Sequence, residues 1–188
     1  MMIDQKMRIF NRFIVWFLFI FATSGLYAQE FSERNNLIGT ELLSLAFGGY
    51  LGHYSSIFND GKYELGLGIG YFNPEDDNVT ATGIYPSLRI YHNGKGKGTY
   101  YEVGLGGGNF SLDYQIASET AAKLLFFPSV YIGYRMSWNF GLVVSPYIGM
   151  NYVIGKLEAE DGTVAKFGGN KLDGGLSPAV GLELGYMF

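Results

Sequence analysis

The chain of 188 residues has no cysteine, only 5 prolines and 2 tryptophans, and a charged fraction of 16%. Without cysteine there is no disulfide framework and no lipid-modified cysteine. Few prolines, with no glycine at every third position, exclude a collagen-like chain. Charge this low, against roughly 25% in soluble proteins, also argues against disorder. The formal net charge of −4 lacks the basic footprint of a nucleic-acid binder. Beyond residue 28 no stretch approaches the ~18 consecutive apolar residues of a membrane-crossing helix, which excludes a helical membrane protein.

What the chain has instead is glycine and aromatics. Glycine accounts for 28 residues, double the usual ~7% share. Tyrosine and phenylalanine contribute 15 each. At the N-terminus, Lys6, Arg8 and Arg12 precede the uncharged run FIVWFLFIFA (13–22), followed by TSGLYA and a change to Gln29-Glu30. This is the layout of a secretory signal peptide. The run is too short for a spanning helix, which needs about 20 residues. Cleavage is expected after Ala28, leaving 29–188 as one domain. The three basic residues and Asp4 are then lost, and the remainder is more acidic.

In that remainder the dominant period is two. In YELGLGIGY (63–71), Tyr63, Leu65, Leu67, Ile69 and Tyr71 share one face, and Glu64, Gly66, Gly68 and Gly70 the other. A strand alternates its side chains in this way, and a helix would carry three glycines at about 1 kcal/mol each. TYYEVGLGG (99–107), GLVVSPYIGMNY (141–152) and VGLELGYMF (180–188) repeat the pattern. Eight strands are expected near 36–46, 50–58, 62–73, 81–93, 98–112, 121–136, 140–155 and 174–188. After the first, the breaks between them alternate short and long, as in a barrel with tight turns at one end and loops at the other. The expected fold is all-β: an eight-stranded antiparallel up-and-down transmembrane β-barrel. Closure leaves no strand edge unpaired in lipid. Aromatic residues near strand ends (Tyr50, Tyr54, Tyr71, Tyr91, Tyr101, Tyr134, Tyr152, Tyr186 and Phe188) suit the interfacial girdles of such barrels.

The leader, the eight alternating strands, the long loops on one side and the final Tyr186-x-Phe188 together resemble small outer-membrane barrels of the OmpA/OmpX type. IGTELLSLAFGGYLGHYSS, YPSLRIYHNGKGKGTYYEVGLGGG and IGYRMSWNFGLVVSPYIGMNY resemble a group of uncharacterised outer-membrane barrels. The resemblance covers the whole chain after the leader and implies the Gram-negative outer membrane as its location. Its partners are then outer-membrane lipid, the barrel-insertion machinery, for which Tyr186 and Phe188 match the terminal aromatic signal, and an extracellular loop partner of unknown identity. Where that group commonly has an acidic and a basic residue after the tyrosine of the second strand, this chain has Ser55-Ser56 after Tyr54.

The alternation turns Glu41, Glu64, Arg89, Glu102, Arg135 and Glu183 inward. An arginine facing lipid near midplane costs about 2–4 kcal/mol, whereas inward charges can pair. A salt-bridge network filling a narrow interior is expected; a gate for small solutes is the alternative. His53 and His92 do not converge with a serine and an acid, so no catalytic set is expected. The glycine runs lack G-x-G-x-x-G spacing, and the acidic stretches Glu75–Asp77 and Glu158/Glu160/Asp161 lack calcium-loop spacing. No cofactor and no metal are therefore expected, and Asn78-Val79-Thr80 is a chance sequon. Pro86, Pro128 and Pro146 fall inside strands on the outward face, which leaves two readings open: bulges near the rim, or strand boundaries several residues away from those given. The expected role is structural or surface-interacting, non-enzymatic, with a largely plugged interior. A narrow solute pore and a lipid-modifying barrel hydrolase are the alternatives.

Overall fold

The computed structural model describes residues 34–46, 48–73, 79–112, 121–155, 166–167, 170–171 and 174–188. The leader expected over 1–28, both acidic stretches and Asn78 lie outside them. The chain divides into two compact units. One is Glu33–Ser137 with Gly141–Phe188; the other is Met1–Ser32 with Trp138–Phe140, of which only the turn residues Trp138–Phe140 are described.

The first unit is a closed, all-antiparallel up-and-down barrel of eight strands. They are β1 (Asn36–Glu41), β2 (Gly49–Phe58), β3 (Tyr63–Phe72), β4 (Val79–Tyr91), β5 (Gly98–Leu112), β6 (Ala121–Ser137), β7 (Leu142–Val153) and β8 (Gly175–Met187). Each pairs with its neighbours in sequence, and β1 pairs with β8 to close the ring, Leu37 opposite Met187 through Glu41 opposite Glu183. The seam is extended by Phe188 N–H donating to Asn36 O (2.9 Å) and Asn36 N–H to Phe188 O (3.1 Å). This is the architecture of the small OmpA/OmpX-type barrels, whose interior is just wide enough for side chains to fill. At one end, here the turn end, lie the connections 59–62, 92–97 and 138–141 and residues Asn36 and Met187. The other, the loop end, carries the connections after β1, β3, β5 and β7. The turn after β2 is sharp because Asn59 and Asp60 adopt φ of 53° and 55° and Gly61 follows at 79°. Positive φ at successive positions is what a tight hairpin turn requires. Within the connection after β7, Lys166–Phe167 pairs with Asn170–Lys171.

The first strand is shorter than the alternation suggested. It stops at Glu41, and Leu42–Ala46 forms one helical turn, α1, instead of continuing to residue 46. LLSLA is uniformly helix-prone and has no alternation to hold it in a strand. Glu41 caps the turn: its Oε2 accepts from Ser44 N–H (2.5 Å) and its carbonyl from Ser44 Oγ–H (2.8 Å). α1 packs against both β2 and β8, occupying the wall where β1 has ended.

The prolines have a simple account, and it is not a bulge. Between β4 and β5 the ladder is unpaired at Tyr85–Pro86, then resumes in the same register. Between β6 and β7 it is unpaired at Phe127–Pro128, between the Phe126–Ile154 bridge and Ser129–Asn151, and again opposite Ser145–Pro146. No residue is inserted at any of these gaps. Each proline stays paired on its other side, Pro86 with Leu67, Pro128 with Leu105 and Pro146 with Leu182. The missing N–H is therefore directed at the gap, where a strand interior tolerates it. Pro178 of β8 follows the same rule: it pairs with Met150, and its other side lies beyond the end of β1.

The outward face is predominantly apolar, interrupted by Thr40 of β1 and Ser56 of β2. Leu65, Leu67 and Ile69 of β3, Val103 and Leu105 of β5, Val130 and Ile132 of β6, and Ile148 and Met150 of β7 are all exposed. Toward the turn end this band is bordered by Tyr54, Phe58, Tyr101, Tyr134, Tyr186 and Phe188, and toward the loop end by Tyr50, Tyr71, Phe126 and Tyr152. Tyr91, read from the sequence as a girdle residue, is instead 1% exposed and points inward. It ends the alternation Tyr85, Ser87, Arg89, Tyr91, which shares the inward phase of Arg89.

Candidate functional site

The interior has two parts. In the half nearer the turn end, Glu64 of β3, Arg89 of β4, Glu102 of β5, Arg135 of β6 and Glu183 of β8 meet, all buried. Their register produces the meeting: Glu64 stands directly opposite Arg89, and Arg89 opposite Glu102, a row of alternating charge across three strands. Arg89 bonds Glu102 through Nε, Glu183 through Nη2 (2.5 Å) and Glu64 through Nη1 (3.4 Å). Arg135 donates to Glu64 Oε2 (2.5 Å) and Oε1 (3.1 Å), to Glu183 Oε1 (3.2 Å) and to Ser145 Oγ (3.2 Å). Each guanidinium also lies near an aromatic ring, Arg89 4.9 Å from the centroid of Tyr100 and Arg135 5.3 Å from that of Tyr91.

Hydroxyls complete the set. Tyr91 donates to Glu64 Oε2 (2.5 Å), Ser55 to Glu64 Oε1 (2.7 Å) and Tyr85 to Glu102 Oε1 (2.8 Å). Ser55 is thus a ligand of Glu64, at the place where the resembling group commonly has charge. Buried ions are tolerated only when paired and hydrogen-bonded, and these are. The sixth inward charge, Glu41, is handled differently. It stands opposite Glu183, a like charge. Besides capping α1, it accepts from Leu182 N–H through Oε1 (2.7 Å), so main-chain donors rather than arginine satisfy it. His53 Nε2 lies 3.6 Å from Glu183 Oε1, and it and Tyr100 Oη are buried without a hydrogen-bond partner.

The glycines make room for the tyrosines. Tyr100 lies over Gly133, Tyr131 over Gly149 and Tyr147 over Gly181, each glycine being the residue opposite on the next strand. Tyr85 lies over Gly104 of β5 in the same sense. A Cβ at any of these four glycines would overlap the ring. The rings therefore lie flat along the wall, all leaning onto the following strand.

Above them, toward the loop end, the interior opens into a chamber of about 560 Å³. Its walls are Leu51, Phe72, Ala81, Phe110, Phe127 and Val153, with Gly70, Gly83 and Gly108 in register across β3, β4 and β5. Tyr85 and Tyr131 bound it on the side of the charge cluster. Tyr85, Tyr91, Tyr100, Ser145 and Tyr147 share the inward phase of the charges on their strands or hairpins, which is the sequence signal that could have found them. His53 borders the charge cluster, whereas His92 is exposed at a turn-end connection, so the two histidines do not meet. Among the described residues no cluster of metal-ligating side chains occurs.

No family model matches the chain, and no curated protein matches it. Among solved structures, the N-terminal β-barrel domain of Pseudomonas aeruginosa OprF is similar, with 15% sequence identity over 82% of this chain and 98% of that one and a TM-score of 0.49. The barrel closure described above rests on the chain's own strand ladders.

Proposed function

We propose that the chain is a non-enzymatic barrel of the Gram-negative outer membrane, structural or surface-interacting, whose bore is closed by the Arg89–Arg135 charge cluster. The observation that carries the reading is the inverted polarity of the barrel. Charges are paired inside, while a predominantly apolar face with aromatic borders points outward. A water-soluble barrel would have the opposite arrangement, and apolar patches far smaller than this already mark interaction surfaces. Strands β2 to β8 have 10 to 17 residues, enough for the ~9–11 that a tilted membrane strand needs.

In this reading the loop end faces outward, where it would meet an extracellular partner. Tyr186 and Phe188, outward-facing on the closing strand, present the aromatic signal to the insertion machinery. In this reading the barrel contributes no chemistry of its own, since the carboxylates of the cluster are committed to the two arginines and to the hydroxyls of Ser55, Tyr85 and Tyr91. The reading is tested by fractionating membranes from expressing cells and running the extracted protein on gels with and without boiling. Outer-membrane fractionation and a heat-dependent shift in migration are expected. Recovery of the protein as a soluble species without detergent would overturn the reading.

A further inference from the structure

From the chamber at the loop end we infer that the barrel holds a single hydrocarbon chain of an amphiphile, inserted tail first. At about 560 Å³ the chamber lies within the roughly 300–1,000 Å³ of small-molecule sites. Its lining is predominantly aliphatic and aromatic, with Thr82, Asn151 and Ser177 among it, and three in-register glycines (Gly70, Gly83 and Gly108) withhold side chains that would fill it.

The floor sets the orientation. Tyr131 Oη–H is already given to Asn151 Oδ1 (2.5 Å), and Tyr85 Oη shares its bonds with Glu102 Oε1 and Ser129 Oγ (both 2.8 Å). Both hydroxyls are thus engaged, that of Tyr131 by a residue of the chamber wall and that of Tyr85 on the side of the charge cluster. Beneath them three carboxylates face two guanidiniums, an excess of one negative charge, which repels an anionic head. The tail therefore reaches the floor and the head stays at the loop-end mouth. The site goes beyond the function proposed above and depends on it only for the source of the amphiphile, the surrounding membrane.

The test uses the mature protein in lipid nanodiscs and cis-parinaric acid, a fluorescent polyene fatty acid, with protein-free nanodiscs as the blank. Saturable uptake of one molecule per barrel above the blank is expected. Unlabelled fatty acids should displace it with affinity rising about fourfold per added methylene until the chamber is full. Alcohols of equal chain length should compete as well as the acids, because the head is outside. Ala81→Phe and Ser177→Phe, which fill the chamber from opposite sides, should each weaken uptake at least tenfold. Ile148→Ala on the outward face should leave it unchanged. Signal equal to the blank, or uptake indifferent to both filling variants, would overturn the inference. Heat-dependent gel migration of each variant confirms that the barrel is intact, and its absence in the parent protein would count against the membrane reading instead.

Discussion

Near the turn end, side chains from five strands cross the bore and meet as two arginines and three carboxylates. Near the loop end, three adjacent strands set a row of glycines, Gly70, Gly83 and Gly108, across the same bore, with Phe72, Ala81 and Phe110 beyond them. Both halves share β2 to β8 as their wall, with α1 taking the place of β1 toward the loop end. What separates them is what the inward phase of each strand carries. β3 shows the contrast within ten residues: Glu64 reaches into the cluster, while Gly66, Gly68 and Gly70 leave space above it. β5 repeats it with Glu102 followed by Gly104, Gly106 and Gly108. One half thus buries ions that pair with one another. The other forgoes side-chain packing and keeps a space.

The comparison breaks most severely if the cluster loses a cation. Arg135→Met leaves Glu64 and Glu183 each short of a partner in a buried site, and we expect a loss of about 3–5 kcal/mol. A lowered urea midpoint for unfolding in detergent micelles reads it, with the fold retained below that midpoint. The next effect tests the wall both halves share. Leu67→Arg places a cation on the apolar band and should cost about 2–4 kcal/mol in lipid vesicles. A negligible change there would mean that this face does not meet hydrocarbon.

Gly133→Val asks whether the flat tyrosines are held by the glycines beneath them. The added side chain displaces the Tyr100 ring, which lies over Arg89, and overpacking of this kind costs typically ~1–3 kcal/mol. The double variant Gly133→Val/Tyr100→Ala should recover part of the loss in the same unfolding measurement. The smallest effect is Ser55→Ala, which removes one hydroxyl from a carboxylate that keeps both arginines and Tyr91 as donors. A loss of about 1 kcal/mol is expected.

Most of the barrel was legible in the sequence, because period two with glycine on one face has few other interpretations. Strand positions from β2 to β8 followed from it to within about two residues, the scale on which strand ends are ordinarily assigned. β1 was overextended because LLSLA is apolar but for Ser44; only the cap between Glu41 and Ser44 reveals that the chain turns there. Tyr91 was misplaced on the girdle because its position at a strand end outweighed its phase. The inward placement of the six charges follows from alternation, but their partners do not. Glu41 and Glu183 share a phase and a sign, and only the closing register sends one to main-chain amides and the other to arginine. The chamber was not legible at all. It depends on glycines from β3, β4 and β5 falling into one row, and row alignment between strands is set by the barrel's stagger rather than by any single segment.

The central claim is that the charge cluster closes the bore of a membrane-spanning barrel. Single-channel recording in planar lipid bilayers tests it most directly. Inserted protein, verified by heat-dependent migration, should give no discrete conductance steps. Reproducible open-channel steps from the unaltered protein would contradict the account.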